Sequence, residues 1–245
     1  MTAAFQKREP WRIAGQSDAG LVRSGNEDAF FCDAARGRFA AVADGVGGLE
    51  YGERASAEAV ALVRNFFENL SVPAAARPDF AALFRKIDAE IALLGEKLVP
   101  GFGIATTLDV VADGGNGVAH CAHVGDSGIF LLRGNALSKL SEEHTLAAEE
   151  IARGNRDFPA AYGNTLTRAL GIGTEAAPQV FSFETRPGDR ILLATDGVTR
   201  MVPPEKIREI VAVPAAGPEA VAAALIRAAN EAGGADNATA VLIFV

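Results

Sequence analysis

Four aspartates stand where an apolar stretch of the chain meets a glycine-containing turn, and strand ends of this kind can deliver side chains to a shared site. They are Asp44, Asp126, Asp196 and Asp236. Carboxylates gathered near one another repel unless cations neutralise them. Because aspartate oxygens with few histidine or thiol candidates select hard cations, the pattern predicts a centre for Mg²⁺ or Mn²⁺ in preference to Zn²⁺.

Two ions held by such carboxylates would support hydrolysis. With one aspartate bridging them, a water between the ions loses its proton more readily and becomes the nucleophile, while the metals offset charge on the phosphoryl oxygens. The segment 23–28, with the sequence RSGNED, adds an arginine that can clamp phosphate oxygens through two hydrogen bonds. Taken alone, an arginine beside two acids is more often a surface ion pair.

Composition narrows the class of protein. The 245 residues are 49% hydrophobic and show no linker or low-complexity tract, so we expect a single domain over 1–245. A net charge of −8 disfavours a nucleic-acid surface, whereas a bound divalent ion still permits a phosphorylated substrate. Without a signal-peptide pattern, a membrane-length apolar run or a disulfide framework, the expected protein is a cytoplasmic monomer with no membrane partner.

Hydrophobic periodicity predicts the elements that position these residues. Strands are expected at 11–17, 29–33, 38–43, 104–112, 118–124, 129–132, 180–183, 190–195 and 238–245. Helices are expected at 55–70, 80–98, 147–153, 205–211 and 218–232, and a glycine-rich hairpin turn at 113–117. Strands in runs and helices in pairs favour an α+β fold, with antiparallel sheets covered by helices, over alternating βαβ units.

Some residues favour a structural interpretation. His120, Cys121 and His123 suggest zinc, but strand alternation places His120 on the opposite face from the other two. Cys32 is expected to be a buried, unreactive thiol. The glycines at 45, 47 and 48 are expected to adopt backbone conformations closed to other residues.

Six short motifs occur in an order that resembles the metal-dependent protein phosphatases of type 2C, over nearly the whole chain from residue 17. They are Arg23-x-x-Asn26-Glu27-Asp28, Asp44-Gly45-x-Gly47-Gly48, Thr106-Thr107, Val124-Gly125-Asp126-Ser127, Thr195-Asp196-Gly197 and Asp236-Asn237-x-Thr239. Each motif alone is an ordinary turn sequence, whereas six in order are specific.

The resemblance implies a four-layer α-β-β-α sandwich with two central antiparallel β-sheets and a cleft that binds two to three Mn²⁺ or Mg²⁺ ions. The implied metal ligands are Asp44 as the bridge, the Gly45 carbonyl, Asp196 and Asp236 for the first ion, Glu27 and Asp28 through waters for the second, and Asp126 with Asp196 for a weaker third. By the same likeness Arg23 binds the substrate phosphate, and Asn237 supports the loop.

The chain departs from the family pattern at two positions. Val46 stands where many eukaryotic members have a histidine that protonates the leaving oxygen, and Gly128 stands where an arginine is usual. The segment 142–165 corresponds to the flap that borders the cleft and is somewhat short here. His144, just inside it, is expected to anchor the flap and not to act in catalysis.

The predicted function is a Mg²⁺/Mn²⁺-dependent protein serine/threonine phosphatase. It would act on phosphorylated proteins and oppose a cognate serine/threonine kinase, as free-standing bacterial members do. Two alternatives stay open: a catalytically silent, phosphatase-like signalling or binding module, and a phosphatase for small phosphoesters or phosphotyrosine. Retention of the complete acidic set disfavours the silent module.

Overall fold

The computed structural model of the protein describes residues 9–46, 51–70, 77–115, 117–172 and 177–245. The turn glycines predicted at 47 and 48 lie outside these residues. The strands are β1 (Arg12–Asp18), β2 (Asp28–Cys32), β3 (Phe39–Asp44), β4 (Leu108–Asp113), β5 (Val118–Val124), β6 (Gly128–Arg133), β7 (Ala136–Lys139), β8 (Gln179–Glu184), β9 (Arg190–Ala194) and β10 (Ala238–Phe244). The helices are α1 (Gly52–Glu68), α2 (Phe80–Leu98), α3 (Leu146–Ala152), a 3-10 turn (Ala160–Asn164), α4 (Asp196–Thr199), α5 (Pro204–Val211) and α6 (Pro218–Glu231).

Two five-stranded sheets form the centre of the fold. One has the strand order β1-β10-β9-β6-β7 and the other β2-β3-β4-β5-β8, and every pairing is antiparallel. Helices α1 and α2 cover the second sheet, and α5 and α6 cover the first. The predicted α+β sandwich of four layers, α-β-β-α, is therefore confirmed.

Strand alternation explains why each sheet has two buried faces. In β10, Val241 and Ile243 point into the layer between the sheets, while Ala240 and Leu242 face the helices. A strand covered on both faces must be apolar at every position, which is why the chain closes on a nearly continuous apolar run. Its burial between two layers fixes the register of the neighbouring strands.

The helices follow the predicted periodicity. In α1, Ala55, Ala59, Val63 and Phe67 recur at intervals of four, and all four are buried against the second sheet. Helix α2 begins where the Asp79 side chain accepts a hydrogen bond of 2.9 Å from the amide of the third helical residue.

Within the part of the chain that the structure describes, no helix has both the length and the apolar character needed to cross a membrane.

Three local predictions were wrong. The strand predicted from residue 104 begins at Leu108, because 104–107 turns toward the cleft and makes only isolated bridges through Thr106. Strand β7 was missed because it is a short, mostly exposed edge strand without apolar alternation. Helix α4 was missed because it is a single turn that begins at Asp196, directly after β9.

Antiparallel pairing brings the chemically distinctive residues to one edge of the sandwich. Asp28 opens β2 and Asp44 closes β3, and the two are direct cross-strand partners. In the other sheet β9 ends two residues before Asp196, beside the start of β10 that follows Asp236. Both sheets therefore contribute acids to the same end.

Candidate metal centre

A cleft of about 490 Å³ opens at this edge. Eight of the nine predicted site residues line it: Arg23, Glu27, Asp44, Gly45, Asp126, Asp196, Asp236 and Asn237. The ninth, Asp28, is not part of the cleft surface and packs beside Asp44 through their strand pairing. The structure thus brings the acids predicted from distant segments together.

Asp44 is held by its own backbone at the cleft floor. Its N–H donates to Thr107 Oγ1 (3.0 Å), and its carbonyl accepts from Thr106 Oγ1 (2.8 Å) and Thr107 N (2.9 Å). Removal from water, followed by repulsion from Asp28 and Asp196, raises the pKa of Asp44 well above its usual value.

Asp28 receives two hydroxyl hydrogen bonds that link the two sheets. Thr239 Oγ1 donates to its Oδ2 at 2.6 Å and Thr195 Oγ1 donates to the same atom at 2.9 Å. Desolvation outweighs these bonds and raises the pKa of Asp28 to about 7. Its other oxygen, Oδ1, is buried without any hydrogen-bond partner. A buried carboxylate oxygen without a partner is unfavourable unless a cation or a proton satisfies it.

Gly45 is required by close packing, which corrects the expectation of a special backbone conformation. Its φ is not in the left-handed region, but a Cβ there would lie 2.3 Å from the carbonyl oxygen of Gly52 at the start of α1. The carbonyl of Glu27 accepts from Gly45 N (3.0 Å) and from Ser56 Oγ on α1 (2.6 Å). These contacts lock the turn after β3 against the first helix.

Arg23 and Asn237 join the N-terminal loop to the residues before β10. Arg23 pairs with Asp236: its Nη2 donates to Oδ2 at 2.9 Å, and its Nε lies 2.9 Å from Oδ1. Asn237 accepts from Glu27 N (2.8 Å) through its side-chain oxygen and donates to the carbonyls of Ala19 (2.9 Å) and Gly25 (2.8 Å). The side chain of Asn237 therefore ties the N-terminal loop to the residues before β10.

Sequence reasoning missed Arg200, which lies one residue beyond α4. Its Nη2 donates to Asp126 Oδ2 at 2.7 Å, and its Nη1 lies 2.9 Å from Asp196 Oδ2. The signal that could have revealed it is its spacing of four residues from Asp196, which places the two side chains on one face of a helical turn.

The donor chemistry of the cleft fits hard divalent cations. The acids supply only oxygen, and desolvation together with mutual repulsion raises the pKa of Asp126 to about 6 and that of Asp196 above its usual value. Among the described residues, no three His, Cys, Asp or Glu side chains form a ready metal cage. Arg23 pairs with Asp236, and Arg200 pairs with Asp126 and Asp196. These arginines therefore neutralise part of the negative charge that a cation would otherwise neutralise.

Comparison with known proteins assigns the family. Residues 22–228 match the family model described as protein phosphatase 2C. The chain belongs to the protein phosphatase 2C family.

Relatives of this family member are bacterial phosphatases. The serine/threonine phosphatase Stp of Listeria monocytogenes is 32% identical over 238 residues, which cover 93% of each protein. The serine/threonine protein phosphatase PstP of Mycobacterium tuberculosis is 32% identical over 94% of this chain, which spans only 44% of the length of PstP. The crystal structure of the PstP catalytic domain in complex with two manganese ions is 31% identical, covers 96% of this chain and 97% of that chain, and superposes with a TM-score of 0.82.

The flap of this protein phosphatase 2C family member closes one side of the cleft. Its ends are joined by a bridge between Thr145 and Leu166. His144, near the start of the flap, is buried: its backbone N–H donates to the Gly125 carbonyl (2.8 Å), and its Nδ1 accepts from Gly125 N (3.1 Å). Burial lowers the pKa of His144 to about 3, so the ring is neutral. These contacts tie the start of the flap to Gly125, directly after β5.

The histidines and cysteines outside the cleft have structural environments. His123 Nδ1 bonds to Asp109 (2.5 Å) and His120 Nδ1 to Ser182 (2.7 Å). Cys121 is buried between the sheets. Cys32 is only half-buried, which corrects the expectation of full burial, although desolvation still raises its pKa to about 12. At neutral pH that thiol is protonated and a poor nucleophile.

Proposed function

We propose that this chain is a Mg²⁺- or Mn²⁺-dependent protein phosphatase that hydrolyses phosphoserine and phosphothreonine. The observation that carries the proposal is the convergence of Asp44, Asp196 and Asp236 with Arg23 in one cleft. The names of its relatives support the substrate class, since Stp and PstP are serine/threonine phosphatases. By the same analogy its substrates are phosphorylated proteins and its counterpart is a serine/threonine kinase.

The residues that would hold the ions come from both sheets. In this proposal Asp44, the Gly45 carbonyl, Asp196 and Asp236 would ligate the ions directly, and Glu27 and Asp28 would hold waters of one ion. When bound, divalent ions lower the pKa of water and neutralise charge on a phosphoryl group. The unpartnered Oδ1 of Asp28 supports the proposal, because it is a buried acceptor that the described protein atoms do not satisfy.

Arg23 is the proposed phosphate-binding residue. Its side chain is 43% exposed at the cleft, and it presents two N–H groups in one plane to the two oxygens of Asp236. The same planar pair matches two oxygens of a phosphate, a geometry that lysine lacks. Arg23 therefore orients the phosphoryl group above the acids.

Protonation of the leaving oxygen does not fall to an imidazole in this cleft. Val46 lines it at the position where many eukaryotic relatives carry histidine, and the described lining residues include no histidine. We propose that solvent protonates the serine or threonine oxygen.

The test is phosphate release from a phosphothreonine peptide during separate Mn²⁺ and Mg²⁺ titrations. Asp44→Asn should lower metal-dependent release by about a hundredfold or more, because it removes the charge of the bridging ligand. Glu205→Gln removes one negative charge from the exposed surface of α5 and serves as the matched control, with release unchanged. Metal-dependent release that survives in Asp44→Asn would contradict the mechanism.

A competition assay addresses the substrate class. Phosphotyrosine peptide and p-nitrophenyl phosphate, offered beside the phosphothreonine peptide, should be hydrolysed more slowly at equal concentration. Preference for either competitor would favour the small-phosphoester or phosphotyrosine alternative. No release from any of the three by folded protein would favour a silent binding module.

A further inference from the structure

The guanidinium of Arg200 lies directly between two acids of the cleft. Nη2 is 2.7 Å from Asp126 Oδ2, and Nη1 is 2.9 Å from Asp196 Oδ2. The Asp126 side chain is nearly buried, with 9% of its surface exposed, so its charge needs a partner in place. Arg200 supplies that partner from the turn of helix that also carries Asp196.

The same side chain reaches the flap. Nη1 donates to Asn164 Oδ1 at 2.6 Å, and Nη2 donates to the Gly163 carbonyl at 3.0 Å. The guanidinium therefore donates three hydrogen bonds, one to Asp126 in the cleft wall and two to the flap, and forms an ion pair with Asp196. A planar guanidinium has five N–H donors in fixed directions, which suit acceptors spread around it in this way. A divalent ion has no N–H groups and could not bind these acceptors in the same directional manner.

The place of Arg200 conflicts with a third ion shared by Asp126 and Asp196. An arginine guanidinium stays charged in proteins and cannot give up its proton to admit another cation. A divalent ion between these carboxylates would lie within a few ångströms of that charge and would need the oxygens that Arg200 holds. Asp236 is also paired with an arginine, Arg23, but both side chains of that pair are exposed, at 38% and 43%, so water can replace the contact when an ion binds. The Asp126 side chain in the Arg200 pair is only 9% exposed.

We propose that Arg200 replaces the third divalent ion, so that this chain binds two ions and uses a guanidinium to neutralise Asp126 and to position the flap. The proposal rests on the metal centre of the proposed function and specifies how many ions that centre binds. Arg200 is a positioning residue here, because it acts through the acids and the flap.

The experiment counts bound Mn²⁺ in the metal-stripped full chain, by titration from micromolar to millimolar concentration with the EPR signal of free Mn²⁺ as the readout. The intact chain and Asp126→Asn should each bind two ions, because Asp126 pairs with Arg200 and not with a metal. Arg200→Ala should gain a weaker third ion, and adding Asp126→Asn to that variant should remove it again.

The number of bound ions distinguishes a failure of the replacement proposal from a failure of the metal centre itself. Three ions in the intact chain, falling to two in Asp126→Asn, would overturn the replacement while leaving the phosphatase proposal intact. No bound Mn²⁺ at any concentration would instead contradict the metal centre itself. If Arg200→Ala does not fold, the counts for the intact chain and Asp126→Asn still decide.

A second readout tests the flap contact independently of metal. In Arg200→Ala, amide hydrogen exchange in 160–164 should become about tenfold faster, since the Gly163 and Asn164 contacts are lost. Arg208→Ala removes an arginine from α5 whose bond goes to Asn135, away from the cleft, and is the matched control. Unchanged exchange in Arg200→Ala would contradict the positioning role.

Discussion

At the scale of single residues, the acidic centre depends on a directed chain of hydrogen bonds behind Asp28. Thr239 Oγ1 donates to Asp28, so its own acceptor position is free for Ser17 Oγ at 2.7 Å, which in turn accepts from Asn26 Nδ2 at 2.8 Å. Each hydroxyl accepts one hydrogen bond and donates its own hydrogen to the next oxygen on the path to the Asp28 carboxylate. The chain favours the charged form of Asp28, against the desolvation that raises its pKa.

Thr239→Val tests this chain with little change in volume. Loss of the 2.6 Å bond should raise the pKa of Asp28 further, so that Mn²⁺ competes less well with protons and its affinity falls more at pH 6.5 than at pH 8. Folding should weaken by about 1–3 kcal/mol, because buried polar groups lose a partner. Mn²⁺ titration and urea denaturation measure both, and Thr239→Ser, which keeps the hydroxyl, is the control. Equal losses of affinity at the two pH values would contradict the role of the hydroxyl.

Single residues also show what sequence can predict of a site. Asp44 and Asp196 are recognisable because each follows an apolar strand and precedes a glycine, a local pattern. The partnership of Arg200 with Asp126 spans 74 positions and exists only after β5 and α4 are brought together. The four-residue spacing of Arg200 from Asp196 was visible, but many such pairs are exposed and unimportant.

At the scale of elements, the turn after β3 is fixed by its contact with the start of α1. The helix begins against Gly45 so closely that the backbones of Gly45 and Gly52 leave no space for a side chain. Periodicity predicted both elements, but it contains no information on this contact. Only the packing of α1 across the second sheet explains why residue 45 must be glycine.

Gly45→Ala should therefore be costly even though its φ suits any residue. The added methyl group would lie 2.3 Å from the Gly52 carbonyl oxygen, so the turn or the helix must shift, at about 1–3 kcal/mol. A shift here also moves Asp44, so Mn²⁺ affinity should fall together with the urea midpoint. Gly25→Ala is the matched control, since no atom lies within 4 Å of the added methyl group. Wild-type stability in Gly45→Ala would show that the turn can relax without cost.

At the scale of the whole molecule, the sandwich brings acids from two sheets into one poorly solvated cleft. The layers follow from the alternation and grouping of elements, so the fold was predictable from the sequence. The charge that this fold concentrates is less predictable, because it depends on distances between strand ends of different sheets. Raised pKa values for Asp28, Asp44 and Asp196 are the result, and they make stability depend on pH and on bound cations.

The metal-free protein should lose stability as the pH rises from 6.5 to 8. With its pKa raised to about 7, from 3.8, folded Asp28 still binds protons in a range where the unfolded chain has released them. Burial of His144, whose pKa is lowered to about 3, acts in the opposite direction as the pH rises from about 3 to its unfolded value of 6.5, and this effect levels off above 6.5. Asp28→Asn removes the first contribution and keeps the second.

Thermal unfolding of the intact protein and of Asp28→Asn, both without metal, measures the difference. As the pH rises, the melting temperature of the intact protein should fall relative to that of the variant. Saturating Mn²⁺ should reverse the trend, because a cation stabilises the charged form. Parallel pH profiles for the two metal-free proteins would show that Asp28 is ionised in the folded state across this range.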